Sequence, residues 1–179
     1  MDKDQPETVG PETPGHATPH DLFRRFEALG ISVTTRDHDP VFTVDESRHL
    51  RGLIPGGHCK NLFLRNKRKE MWLIVCDEDR TVDLKWLGER LGAGRLSFGS
   101  ADRLMATLGV APGSVTPFAL INDRSLSVKP ILDARMMENA VLNYHPLVNG
   151  RTTSIRREDL LKFIEACGHT PHIVDLDAD

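Results

Sequence analysis

The stretch GGHCKN, residues 56–61, places an imidazole, a thiol and an amine directly behind two glycines. His58 and Cys59 could be metal ligands, Cys59 could be a nucleophile, or Lys60 could hold a phosphate or carbonyl oxygen as a point charge. Metal binding is disfavoured, because neighbouring residues on a strand point to opposite faces and the sequence contains no HxH, HExxH or CxxC motif. We expect Cys59 to be a buried, inert thiol. From these residues alone Lys60 is the most interesting, although a solvated lysine at a strand end is the commoner case.

Two later stretches could also carry chemistry. GVAPGSVTP, residues 109–117, is a stiff loop whose backbone N–H groups could bind a carboxyl or ester oxygen. HPLVN, residues 145–149, fixes the backbone with Pro146 just after His145, which suits a held imidazole. Each pattern is weak by itself, since Gly/Pro loops are mostly turns and a lone histidine is more often structural.

The sequence predicts that both helices and strands position these stretches. Thr18 and Pro19 begin a helix that ends at Gly30, and residues 43–46 match a capping box for a short helix ending near Gly52. Asp83 and Ser100 cap further helices. The remaining predicted elements are strands at 31–35, 61–65, 71–76, 115–121, 127–132, 141–144, 152–155 and 172–176, with a last helix through Leu160–Ile164.

Hairpins outnumber helical crossovers in this order of elements, and the 66–69 turn joins two of the strands. We therefore predict an α/β (α+β) fold with a mixed, mainly antiparallel sheet and helices packed around it. The length of 179 residues suits one domain at 18–179, and the polar, Pro-containing residues 1–17 are predicted to be a disordered tail.

Composition limits the function classes. The formal charge is −3, and no helix-turn-helix with a basic recognition helix is evident, so sequence-specific DNA binding is disfavoured. Three cysteines without a CxxC pair fit a reducing cytosol better than a disulfide framework. No signal-peptide pattern and no apolar run near 18 residues is present, so we expect a cytoplasmic protein without a membrane partner.

Four stretches, in this order, together resemble one family. They are GGHCKNLFLRNK, then VDLKWLGERLG with RLSFGS, then LGVAPGSVTPFALIND, then HPLVN followed by EDLLKFIEACGH. This set is similar to the free-standing prolyl-tRNA editing proteins (the YbaK/ProX group), which are relatives of the insertion domain of bacterial prolyl-tRNA synthetases. The likeness covers about residues 20–176 and is greatest to the ProX-type alanyl-tRNA(Pro) deacylases.

The resemblance implies a hydrolase that cuts the ester between a wrong amino acid and the 3′-terminal adenosine of proline tRNA. We expect no cofactor and no metal. It also implies a partly barrel-like sheet. Lys60 matches the family's signature lysine and His145 its late histidine, and these two are the implied catalytic residues. The implied substrate-binding residues are Asn61, Gly113, Ser114, Val115, Thr116, Pro117 and Asn149. Arg156 departs from the family, whose members often have a small capping residue there.

We expect a cluster of basic residues to bind the RNA. Arg65, Lys67 and Arg95 are the predicted contacts for acceptor-stem phosphates, with Arg68 and Lys69 on the same hairpin. The alternative is a solvated turn. Other functions also stay open: a deacylase for Cys-tRNA(Pro) or Ser-tRNA, or a binding module that holds aminoacyl-tRNA, or prolyl-tRNA synthetase, without cutting the ester.

Overall fold

The computed structural model describes residues 15–39, 49 and 52–177. Its strands are β1 (Thr34–Asp37), β2 (Gly57–Arg65), β3 (Met71–Asp77), β4 (Ser97–Phe98), β5 (Val128–Asp133), β6 (Val141–Tyr144), β7 (Arg151–Arg156) and β8 (His172–Val174). Its α-helices are α1 (Pro19–Ala28), α2 (Leu84–Arg90), α3 (Ala101–Leu108) and α4 (Arg157–Ala166), and 3₁₀ helices span Pro117–Asn122 and Met136–Glu138. No helix in the described ranges is long and apolar enough to cross a membrane.

Helix starts follow the predicted caps. The Thr18 hydroxyl accepts from the Asp21 N–H, and the Asp21 carboxylate accepts from the Thr18 N–H, which completes a capping box before α1. Asp83 and Ser100 likewise accept backbone N–H groups at the starts of α2 and α3. By contrast, Arg156 makes no side-chain cap at α4, as its departure from the family pattern implied. The short helix predicted from residue 43 falls largely outside the described residues.

The sheet has the order β1-β7-β6-β2-β3-β5-β8, with β4 on β2 beside this path. The pairs β1–β7, β6–β7, β2–β3 and β2–β4 are antiparallel, whereas β2–β6, β3–β5 and β5–β8 are parallel. The predicted mixed sheet is confirmed. Its parallel pairs matter most for the site, because they bring segments that are distant in sequence side by side.

Alternation along β2 and β3 gives the sheet two covered faces. One face carries Phe63, Leu73 and Val75 in the larger core, together with Phe26, Phe118 and Phe163 from the helices. The other face carries Leu64, Trp72, Ile74 and Cys76 against α2, through Leu87 and its neighbours. Successive residues of β2 therefore enter different environments.

One predicted strand is wrong. Residues 115–121 were expected to be extended, but Pro117 begins a 3₁₀ helix whose cap is the Thr116 hydroxyl, which accepts from the Phe118 N–H at 3.3 Å. Phe118, Ala119 and Leu120 are all buried, so this apolar run packs on every side instead of alternating. A short buried helix and a buried strand give the same apolar run in sequence.

Candidate active site and cationic groove

The parallel pairing of β2 with β6 brings the segment that carries Lys60 next to the segment that leads to His145. The register matches Gly57 with Leu142 and His58 with Asn143. Lys60 lies two residues beyond that last pair on β2, and His145 lies two residues beyond it, directly after β6 ends at Tyr144. We call this place the β2–β6 edge and define it by Lys60, Asn61 and His145 together with loop 113–117.

The two glycines of GGHCKN serve this pairing. A Cβ on Gly56, whose φ is +104°, would lie 2.9 Å from the Val141 carbonyl oxygen. A Cβ on Gly57 would lie 2.9 Å from the side-chain amide of Asn139. Both contacts are tighter than real Cβ atoms tolerate, so the glycines allow β2 to approach the β6 region closely.

Lys60 is half-buried and lies opposite Cys76 on the α2 face of the sheet. Its ammonium contributes to the electrostatic environment of the Cys76 thiol, as does the buried Asp133 carboxylate. Asp133 is already paired with Arg80, whose Nε donates at 2.8 Å. Among the described residues the Lys60 amine has no ion pair of its own, so its charge is available to a ligand.

Asn61 lies on the other face of β2, with Cys59 and Phe63. Its side-chain oxygen is buried and has no hydrogen-bond partner among the described residues. Beside it, β2 is paired with β6 only at 57–58 and with β4 only at 64–65. The Phe63 carbonyl accepts from the Gly99 N–H on this side, so the N–H and C=O of Asn61, two residues away, point into the interval between the two strands.

His145 is held in one tautomer. Its Nδ1–H donates to the Arg151 carbonyl at 2.8 Å, which leaves Nε2 as the unprotonated nitrogen of the neutral ring. Burial lowers the pKa of His145 below its ordinary 6.5, and the neighbouring His38 adds to this, although the bond to Arg151 opposes it. A neutral imidazole with a fixed acceptor nitrogen can orient a water molecule or a hydroxyl group.

Loop 113–117 approaches the same region from the larger core face. Gly113 has φ +89°, and a Cβ there would lie 3.7 Å from Asn149 Nδ2, so the loop and HPLVN are neighbours. Val115 packs against the core, whereas Gly113 itself is exposed. Ser114, Thr116 and Pro117 are buried, and Thr116 caps the 3₁₀ helix. The exposed part of the predicted binding loop is therefore its first residue.

The thiols are poor nucleophiles here. Burial raises the pKa of Cys59 to about 12, and burial raises the pKa of Cys76 and of Cys167 to about 11. His58, the adjacent imidazole, points to the other face and donates from Nε2 to the Ile54 carbonyl at 2.8 Å. Within the described ranges no group of three or more His, Cys, Asp or Glu side chains could hold a metal ion.

A second feature, which we call the cationic groove, is lined by Asn66, Lys67, Arg68 and Gly92–Arg95. Asn66 joins its two walls, because its buried side-chain amide donates to the Ala93 carbonyl at 3.0 Å. Arg68 is paired with Glu70 at 3.0 Å. Lys67 and Arg95, and Arg65 at the end of β2, have no such carboxylate partner among the described residues.

Several polar contacts of the site had no recognisable sequence signal. His38 contacts the Thr152 hydroxyl through Nε2 at 2.7 Å, and its ring centroid lies 6.2 Å from that of His145. The Asn143 amide donates to the Pro55 and Gly57 carbonyls, which ties the glycine segment to β6. Only the pairing of distant strands reveals these residues, because none belongs to a compact motif.

Comparisons with known proteins identify the family of this chain. The family model for the aminoacyl-tRNA editing domain matches residues 38–163. The chain is 35% identical over 156 residues to "Prolyl-tRNA editing protein ProX" of Acetoanaerobium sticklandii, covering 87% of this chain and 95% of that one. It is 36% identical to the mouse "Prolyl-tRNA synthetase associated domain-containing protein 1", covering 88% and 95%. A solved structure described as a candidate trans-editing enzyme for prolyl tRNA synthetase superposes with a TM-score of 0.70 at 16% identity, covering 96% of this chain and 100% of that one.

Proposed function

Because the chain belongs to the aminoacyl-tRNA editing domain family, we infer that it is a trans-editing deacylase that hydrolyses the ester of mischarged proline tRNA, with Ala-tRNA(Pro) as the substrate. The observation that carries the chemistry is the parallel register of β2 and β6, with Lys60 and His145 two residues beyond its last pair. One relative is named as a prolyl-tRNA editing protein, which supports the same reaction.

An aminoacyl ester is already activated, so its hydrolysis needs a placed water and a stabilised oxyanion. His145 can supply the first requirement, since its Nε2 lone pair accepts a hydrogen bond from water or from a ribose hydroxyl. Lys60 can supply the second through a charge that no protein carboxylate neutralises among the described residues. No covalent intermediate is needed, which agrees with a Cys59 pKa of about 12.

The substrate's amino acid would lie between loop 113–117 and the strand interval beside Asn61. Gly113 is exposed and adjacent to Asn149, so the loop can present backbone groups to the ester or the ammonium. The buried, unpartnered oxygen of Asn61 would gain a donor if a small local movement admitted the ammonium. Ser114, Val115, Thr116 and Pro117 hold the loop in this position.

Selectivity follows from size. A proline-specific pocket cannot strongly reject a smaller side chain, because a missing methylene is worth only about 1–3 kcal/mol. A second pocket that admits alanine and excludes the proline ring by overlap removes the error. Alanine, cysteine and serine are all small enough to be compared directly in such a pocket.

The proposed RNA contact is the cationic groove together with Arg65. Lys67, Arg95 and Arg65 are the cations left without a carboxylate partner, and acceptor-stem phosphates would supply one. The proposed cellular setting is the cytoplasm, and prolyl-tRNA synthetase is the proposed protein partner.

The test is a deacylation panel with proline tRNA charged with alanine, cysteine, serine or proline. We expect Ala-tRNA(Pro) to lose its ester fastest and Pro-tRNA(Pro) to be spared, and we expect Lys60→Ala to abolish the difference. Lys85→Ala, on the exposed side of α2, is the matched control. Faster loss of cysteine or serine would reassign the substrate, whereas tight binding of every charged tRNA without turnover would make the protein a binding module.

A further inference from the structure

Phe98 is an aromatic side chain left in solvent. It is 62% exposed, whereas every other Phe, Tyr and Trp in the described ranges is buried or half-buried. It lies on β4, a strand of only two residues. A large exposed apolar side chain of this kind usually marks a contact surface.

The position of Phe98 is fixed by its surroundings. Phe98 pairs with Leu64 of β2, and the Gly99 N–H donates to the Phe63 carbonyl at 2.9 Å. A Cβ on Gly99 would overlap the Phe63 ring, so this segment is closely packed against β2. Leu96, the residue directly before β4, is buried and anchors the chain at the start of that strand. A ring on such a support loses little conformational freedom when a partner binds to it.

The charges around Phe98 indicate what that partner is. Arg65 is paired in register with Ser97, so its side chain lies on the opposite face of the sheet from Phe98, whereas Arg95 lies three residues before Phe98 and lines the cationic groove. Lys67 lines the cationic groove together with Arg95. The nearby Glu70 is already engaged by Arg68 at 3.0 Å and by Lys129 at 3.6 Å. Exposed aromatic surface bordered by unneutralised cations is the combination that binds single-stranded nucleic acid, through base stacking and phosphate contacts.

We propose that Phe98 is a stacking platform for an unpaired base of the RNA, while Lys67 and Arg95 of the cationic groove bind the phosphates of the neighbouring nucleotides. This inference rests on the proposed function, because it assumes that the ligand is RNA with an unpaired 3′ end. Phe98 lies on the same face of the sheet as Leu64 and therefore as Lys60, four residues earlier on β2. Their separation along the strand is about 13 Å. The stacked base would thus lie between the paired stem and the ester.

The experiment measures binding of uncharged RNA, so that it does not depend on hydrolysis. The probes are the acceptor-stem hairpin of proline tRNA with its unpaired 3′ end, carrying 2-aminopurine in that end, and the same hairpin trimmed to a blunt end. Wild type is compared with Phe98→Ala and Phe98→Trp. Ile173→Ala is the control, because Ile173 is also exposed but lies on β8, at the far end of the sheet.

We expect Phe98→Ala to weaken binding of the hairpin with the unpaired end by about fivefold or more, and to leave the blunt hairpin unaffected. Phe98→Trp should retain wild-type affinity and quenching of 2-aminopurine, and Ile173→Ala should behave as wild type. Wild-type affinity of Phe98→Ala, or an equal loss on both hairpins, would overturn the proposal. So would a concentration-dependent dimer that Phe98→Ala dissociates, since Phe98 would then be a contact between two copies.

The two proposals fail separately. Ester hydrolysis that is insensitive to Phe98, with no stacking signal, contradicts only the platform. A stacking signal that depends on Phe98, without ester loss from any charged tRNA, contradicts only the deacylase. Phe98→Trp keeps the comparison valid if removal of the ring impairs folding.

Discussion

The β2–β6 edge includes Lys60 and Asn61 of β2, and the cationic groove begins directly after that strand at Asn66, but the two are built in opposite ways. At the edge, Lys60 and His145 are half-buried, and the His145 ring is oriented by a backbone carbonyl. In the groove, Lys67 and Arg95 are exposed. Buried Asn66 joins the two walls at the floor of the groove.

The degree of burial therefore differs between residues proposed to act on the ester and residues proposed to bind phosphates. A group that acts on a reacting ester must keep one orientation, and a shielded site strengthens its electrostatic effect. Cations that bind phosphates need only stay accessible and unneutralised, because counterion release drives that binding. Substitutions at the edge should therefore change turnover, whereas substitutions in the groove should change affinity.

The largest effect is expected at Lys60. Lys60→Ala should lower kcat by about 100- to 1,000-fold, since a preorganised charge is removed from the reacting ester. The affinity for uncharged RNA should stay close to wild type. Single-turnover deacylation and RNA titration measure the two quantities on the same preparation. A loss that appears only as weaker RNA binding would remove the contrast between edge and groove.

His145 should show the next largest effect. His145→Gln should lower kcat by about 100-fold, the lower end of the range for a group that handles protons. Because burial lowers the His145 pKa below 6.5, wild-type activity should persist at pH 6.5 and fall only as the pH drops through that lower value. The decline of kcat at low pH should be absent from the pH–rate profile of His145→Gln. His20→Gln, on the exposed part of α1, should leave the profile unchanged.

The same pKa shift has a consequence for stability. His145 has a lower pKa in the folded than in the unfolded chain, so the unfolded chain takes up the proton first as the pH falls. The free energy of unfolding should be highest above pH 6.5 with respect to this group and should decline below it. Urea titrations at several pH values should show a smaller decline for His145→Gln.

Groove substitutions should give a moderate effect on affinity. Lys67→Gln or Arg95→Gln should weaken RNA binding by about tenfold at low salt and reduce the slope of log affinity against log salt by about 0.7–0.9 for each cation removed. Arg68→Gln should change both less, because Glu70 already neutralises Arg68 at 3.0 Å. Equal slopes for the Lys67 and Arg68 variants would show that the ion pair does not distinguish them.

The smallest functional effect is expected from an indirect change to the groove wall. Gly88 of α2 packs so closely that an added Cβ would overlap the Gly94 carbonyl oxygen, next to Arg95. Gly88→Ala should lower the free energy of unfolding by about 1–3 kcal/mol through overpacking. It should weaken RNA binding less than Lys67→Gln and leave kcat unchanged. Thermal melts and the same RNA titration measure both.

Much of the fold could be predicted because its signals are local. Thr18, Asp83 and Ser100 each lie next to the helix they cap, and the 66–69 turn joins strands that pair directly. The strand predicted at 115–121 was wrong because Thr116 and Pro117 start a helix, and burial on every side hides its period. Sequence periodicity identifies the buried face of an element only when its opposite face is exposed to solvent.

The candidate site was predictable in parts. The motifs with Lys60, Gly113 and His145 stand out in the sequence, but the placement of the Lys60 strand beside the strand that leads to His145 depends on the parallel β2–β6 register, a long-range contact without a local signal. The two glycines before His58 looked suited to a ligand, whereas their closest contacts are Val141 and Asn139. The ion pair that separates Arg68 from Lys67 likewise depends on the folded hairpin.

Strand β2 also fixes the distance between Lys60 and Leu64, the partner of Phe98. Lys60 and Leu64, the partner of Phe98, belong to one unbroken strand, which β3 supports along its whole span from Cys59 to Arg65. A strand of this kind cannot stretch, so the proposed chemical end and the proposed stacking end stay about 13 Å apart in every molecule. The protein would then act as a gauge that accepts an RNA end of one length. An acceptor end shortened or lengthened by one nucleotide would reach either Phe98 or Lys60, but not both.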